Sequence, residues 1–285
     1  MLRRIKGLLI ALLLVHAVFA PSVLAEEGQK QAYADPPMPA FRINADGFGE
    51  ASKADIRALL VSTGRELWRW FPEYEVEPFV VTRGRKGPIV LYNRNDRGEI
   101  VMRLDTQGLS WSQYAYQFAH EFCHILCGFD EDDCPNEWFE ETLCETASLY
   151  AMRAMAKSWE HDAPYRNWVE YRHALKQYAD DVIDSREQLK PEEVAAFFKK
   201  HQAKLEESST LRDLNGAMSV VLLAMFEEDP KRWEAVRWLN PSPNKDGQTF
   251  TQYLQAWHDA APKRHQSFIR EVAELYGIKP LKADQ

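Results

Sequence analysis

His120, Glu121 and His124 stand as an H-E-x-x-H element within His120-Glu121-Phe122-Cys123-His124. On a helix, residues four apart share a face, so the two imidazoles can grip one zinc ion while Glu121 sits beside the water that completes the shell. So short a pattern recurs by chance, and the downstream sequence has to discriminate. Glu141 follows His124 by 17 residues, inside Trp138-Phe139-Glu140-Glu141-Thr142-Leu143-Cys144-Glu145. That stretch has no helix breaker and carries apolar residues at helical spacing, so a second helix can bring a carboxylate to the ion. Two histidines and one glutamate leave a fourth position for water, the arrangement of catalytic rather than structural zinc. Glu145 lies one turn beyond Glu141 on the same face, where it can accept a hydrogen bond from the outer N–H of a ligand histidine.

Ala119 to His124 followed by Trp138 to Glu145 resembles the gluzincin branch of the zincin metallopeptidases, in which H-E-x-x-H precedes a helix reading roughly W-L-x-E-G-x-x-E. The resemblance implies one Zn2+ held by His120, His124 and Glu141, Glu121 as general base, and Glu145 supporting a ligand histidine. It also implies a zincin-like α+β fold: a small mixed β-sheet with helices, followed by a mostly α-helical C-terminal lobe. Thr142 stands where many members have Gly, and the gap between His124 and Glu141 is shorter than in thermolysin-like and aminopeptidase members. Glu140 and Glu145 are therefore the alternative third ligands. In such families the strand before the metal helix, here Glu99 to Asp105, is the edge that takes an extended peptide. They add a Tyr or His that stabilises the oxyanion, for which Tyr150, Tyr165, Tyr171 and His173 are the candidates here. Asn215-Gly216-Ala217-Met218 is similar to the substrate-amine motif of gluzincin aminopeptidases, but it follows H-E-x-x-H instead of preceding it and reads as helix packing.

Residues upstream set the location. Arg3, Arg4 and Lys6 precede an apolar run from Gly7 to Ala20, and Val23-Leu24-Ala25 supplies the residues that a signal peptidase reads. Residues 1–25 thus read as a secretory signal peptide. The run is shorter than the roughly 20 apolar residues of a bilayer span and is interrupted by His16 and Pro21, so no stable membrane anchor is expected. The expected product is exported, periplasmic or extracellular. Losing three basic residues takes the formal charge from −8 to −11, which argues against nucleic acid or anionic membrane as a partner. The partner expected is a peptide or protein substrate.

All four cysteines, Cys123, Cys127, Cys134 and Cys144, fall within the metal module. An oxidising compartment favours disulfides, and four cysteines allow three pairings. Cys127 with Cys134 would close the loop between the two helices, and Cys123 with Cys144 would tie one helix to the other. A second metal site lacks the paired C-x-x-C spacing.

The elements that must position these groups follow from local signals. Residues 26–50 read as an extended arm. Ser52-x-x-Asp55 opens a helix through about Phe71, stopped by Pro72. Three β-like runs follow, Pro78 to Thr82, Pro88 to Asn93 and Glu99 to Asp105. Ser110-x-x-Gln113 reads as a capping box for the first metal helix, which Gly128 ends. Asn136 caps the second, which runs toward Trp159. Helices are predicted over roughly 164–186, 191–206, 211–227, 229–238 and 249–276, with breaks at Pro191, Pro230, Pro241, Pro243 and Pro262. This divides the mature chain into an α/β subdomain, 51–128, and a helical subdomain, 129–285, that carries the third ligand. Asp130 to Asp133 lacks the spacing of a calcium loop and reads as a solvated turn. Trp233, Trp238 and Trp257 read as core.

The sequence therefore predicts an exported zinc metallopeptidase. Two other functions share its features: a zincin-like binding or assembly module, and a zinc hydrolase acting on a non-peptide amide or ester. A complete ligand set with Glu121 beside it favours the enzyme, since a scaffold has no use for a base at the metal.

Overall fold

A computed structural model describes residues 37–129, 134–241, 247–278 and 281. The signal-peptide reading, residues 26–36 of the arm and the acidic turn at 130–133 lie outside the described residues. Within the arm, however, Phe41–Ile43 forms a strand, β1. The first helix, α1 (Lys53–Trp68), starts where the capping signal predicts, with the Ser52 hydroxyl accepting the Asp55 N–H at 3.0 Å. Strands β2 (Phe79–Arg83), β3 (Ile89–Leu91) and β4 (Ile100–Leu104) follow.

The four strands make one mixed sheet in the order β1-β2-β4-β3. β1 pairs parallel to β2, and β2 parallel to β4, whereas β3 runs antiparallel to β4 with Val90 opposite Met102. This corrects the expectation for residues 99–105. β4 is bonded on both sides and has no free edge; β3 is the edge strand on that flank. The hairpin turn between β3 and β4 lets β3 add to the outer side of β4, while the inner side is taken by β2 after a longer connection.

The chain then becomes helical. The helix that carries His120 and His124, α2, spans Trp111–Leu126, and the one that carries Glu141, α3, spans Glu137–Ser158. Gly128 ends the first as expected, with φ +69° in the left-handed region that glycine tolerates. Neither predicted side-chain cap forms. Ser110 takes its turn through its backbone carbonyl, which accepts the Tyr114 N–H at 3.1 Å, and Asn136 sends Nδ2 to the Gln248 carbonyl at 2.8 Å. A 3-10 segment, Arg166–Tyr171, leads into α4 (Arg172–Asp184), then α5 (Pro191–Glu207) and α6 (Arg212–Glu228). A second 3-10 segment, Pro230–Trp238, precedes α7 (Phe250–Ala260) and α8 (Lys263–Leu275). Pro262 splits the predicted 249–276 pattern in two, because it has no N–H to continue a helical ladder. The fold is mixed α+β. No helix among the described residues is long and apolar enough to cross a membrane.

Packing fixes α2 against the sheet. Its Phe118 and Phe122 rings stack 5.5 Å apart and meet Phe79 of β2 at 6.3 and 5.9 Å, with Trp68 of α1 6.3 Å from Phe122. On the other side, α3 is buried along most of its length. Its Trp138 and Phe139 enter a ring cluster with Phe198, Phe250 and Tyr276. Phe122 is fully buried, so Phe122→Ala is expected to cost about 3–5 kcal/mol in urea unfolding, the range for an emptied aromatic site. A loss under about 1 kcal/mol would show that α2 is held mainly by other contacts.

Candidate metal centre and cleft

Because Phe118 and Phe122 point into the sheet, the helical period turns Tyr116, Gln117, His120, Glu121 and His124 toward a cleft of about 540 Å³. Its other walls come from β3, α3, α4, the start of α6 and the segment around Asn240.

On the cleft floor, His120 Nε2 lies 3.2 Å from Glu141 Oε2 and His124 Nε2 lies 3.7 Å from Glu141 Oε1. The structure thus brings together the three residues expected as ligands, with Glu141 beside both rings. Glu121 is 3 % exposed, lines the same cleft, and takes a backbone hydrogen bond from Val90 on the edge strand β3. Burial raises the Glu121 carboxyl above its ordinary range, against the pull of the two histidines. Burial works against charge on both imidazoles, yet the carboxylates around them prevail and raise both, His124 to about 10. Glu141 moves the opposite way. Although burial opposes its charge, the two histidines and Arg212 hold it down at about 2.

Glu145 was expected to orient a ligand histidine, but its carboxylate accepts the Tyr116 hydroxyl and lies 3.6 Å from Arg186. Glu140 occupies the orienting position instead. His124 Nδ1 is 2.6 Å from Glu140 Oε1, while Glu140 Oε2 accepts from Asn240 Nδ2 at 2.6 Å. Asn240 Oδ1 in turn accepts the Tyr253 hydroxyl at 2.9 Å. With Nδ1 engaged this way, His124 presents Nε2 to Glu141. Sequence reasoning missed Asn240 and Tyr253, which carry no local signal and lie far from Glu140 along the chain.

A further donor stands behind the floor. A ring nitrogen of His120, one of His124 and Cys144 Sγ all lie within 4.8 Å of one another. This group could hold a metal ion. Two sets of donors therefore share the histidines: one with Glu141 on the cleft floor, the other with Cys144, which is fully buried. The donor types fit a borderline-soft divalent cation in either place.

The four cysteines are thiols here. Cys123 and Cys127 are 3.9 Å apart between their sulfurs, and both exchange hydrogen bonds with Cys144. Cys134 accepts the Asn136 N–H at 3.3 Å. The tyrosines and histidine expected to supply an oxyanion donor lie outside the cleft lining. Tyr150 accepts from Trp70 Nε1, Tyr171 meets Ser112, His173 pairs with Glu170, and Tyr165 packs on Trp168. The cleft's own tyrosines are Tyr92, Tyr116, Tyr178 and Tyr253. Asn215, read from sequence as helix packing, lines the cleft as well.

Comparison of the chain with protein-family models, with curated proteins and with solved structures found no match.

Proposed function

We propose that this protein is an exported zinc-dependent peptidase with a zincin-like fold. The observation that carries the reading is the meeting of His120 Nε2 and His124 Nε2 at the Glu141 carboxylate, on the floor of a cleft that Glu121 also lines. His120, His124 and Glu141 would hold the ion. When bound, zinc supplies Lewis acidity toward a carbonyl oxygen and acidifies water. Glu121 accepts the proton of the attacking water and delivers it to the departing amine, so that a poor leaving group departs neutral. Val90, bonded to Glu121, ties that base to the one sheet edge that faces the cleft, where an extended peptide could lie alongside β3.

The Tyr253–Asn240–Glu140 chain fixes the tautomer and ring angle of His124. Asn240→Ala is expected to weaken zinc binding by roughly 10-fold or more in competition with a chromophoric chelator, with an unchanged far-ultraviolet dichroism spectrum. Unchanged affinity would reduce the chain to packing.

The position beside Cys144 favours a second reading, a closed structural metal site in a binding module. Zinc analysis of the purified protein, together with digests of casein, a peptide library and cell-wall material, tests both. About one zinc with peptide cleavage supports the peptidase. Zinc with no cleavage of any peptide sinks it, and cleavage confined to cell-wall material would transfer the same chemistry to another amide.

A further inference from the structure

Building on the peptidase reading, we infer that the α6 end of the cleft binds the –NH–CHR–COO⁻ unit of a peptide's C-terminal residue, with Arg212 on the carboxylate and Asn215 on the N–H. This names the substrate class: peptides with a free C-terminus, cleaved near that end.

Two arginines line this end of the cleft, and they differ in state. Arg186 is committed. It donates to the Arg212 carbonyl at 3.1 Å and lies 3.6 Å from Glu145 and 3.9 Å from Asp213. Gly216 makes room for it, because a Cβ there would stand 2.5 Å from Arg186 Nε. Arg212 is exposed, and among the described residues its guanidinium has no hydrogen bond or ion pair. It is thus an uncommitted cation in the cleft that Glu141 also lines.

Asn215 is 2 % exposed, and its Nδ2 donates to the Ser209 carbonyl at 2.6 Å. That bond fixes the amide, leaving Oδ1 as a buried acceptor with no partner. Such an oxygen costs stability unless a donor arrives. Residues 212 and 215 are three apart on one helix and so share a face. A cation and an N–H acceptor one turn apart match the carboxylate and the amide N–H of a terminal residue.

The test uses zinc-loaded protein and one peptide sequence made in three forms: free acid, C-terminal amide, and C-terminal amide with an internal Asp. Rates and cleavage positions are read by mass spectrometry, and binding of each form to Glu121→Gln is read by calorimetry. The free acid is expected to be bound and cleaved roughly 10-fold or more better than either amide, the range for a charge-assisted contact. Arg212→Gln, at an exposed position, is expected to bring the acid-to-amide ratio to about one. Equal cleavage of acid and amide overturns this inference and leaves the peptidase reading standing. An internal-Asp amide that matches the free acid overturns the C-terminal assignment. If no form is cleaved while Glu121→Gln still prefers the acid, the subsite holds and the peptidase reading fails.

Discussion

Glu121→Gln is expected to keep its metal ion and to hydrolyse peptide at least about 100-fold more slowly, the lower end of what a positioned general base contributes. The two effects separate because Glu121 is not among the groups that would hold the ion. Its carboxylate lines the cleft beside the histidines, and its present hydrogen bond is to Val90. Glutamine has nearly the same shape and can keep that contact through its amide oxygen, so α2 should not shift. The loss should fall on kcat, since a base that acts only as the bond breaks contributes little to ground-state binding. Metal content by mass spectrometry and steady-state kinetics on one peptide check both halves. Hydrolysis at the wild-type rate would remove Glu121 from the mechanism.

His124→Ala should give the opposite pattern, losing ion and hydrolysis together. It should also lower Tm in added zinc, because an ion at 100 times its Kd stabilises the native state by about 2.7 kcal/mol. Apart from its proposed bond to the metal, His124 anchors the Glu140–Asn240–Tyr253 chain. Removing the ring leaves Glu140 in a buried place with Asn240 as its partner, which adds a metal-independent loss of stability. Parallel variants locate the ion. If it sits on the cleft side, Glu141→Ala loses metal and Cys144→Ser keeps it. The reverse result places it behind the floor, and a cobalt-substituted protein would then show sulfur-to-metal charge-transfer absorption that Cys144→Ser abolishes. That outcome would favour the structural-site reading.

Local signals made part of this legible. Ser52 announces α1 and Gly128 the end of α2, because a cap or a left-handed residue acts within a few positions of itself. The pairing of α2 with α3 followed from His120, His124 and Glu141, whose spacing only works on two neighbouring helices. What depends on distant partners was hidden. Phe41–Ile43 looks like arm sequence and becomes a strand only because β2 offers it a parallel edge. Whether 89–91 or 100–104 is the outer strand is decided by which side of β4 is already taken, and neither strand encodes that. Glu140 and Glu145 look equivalent in sequence. They separate because Asn240 and His124 engage the first and Tyr116 the second. Asn215 was legible as a motif, but its place in the cleft depends on α6 docking beside α3.

The ring cluster at the start of α3 bears on when the site can form during synthesis. Tyr276 packs against Trp138 and Phe139 at centroid distances of 5.8 and 5.6 Å, and these rings sit just ahead of Glu141. The wall behind that helix is therefore supplied by residues made long after it. A nascent chain still short of Tyr276 has its histidines but not the full backing that seats the carboxylate. Contacts so far apart in sequence form late and slow the search for the native state. The candidate metal centre should accordingly assemble near the end of folding, after its histidines have long been in place.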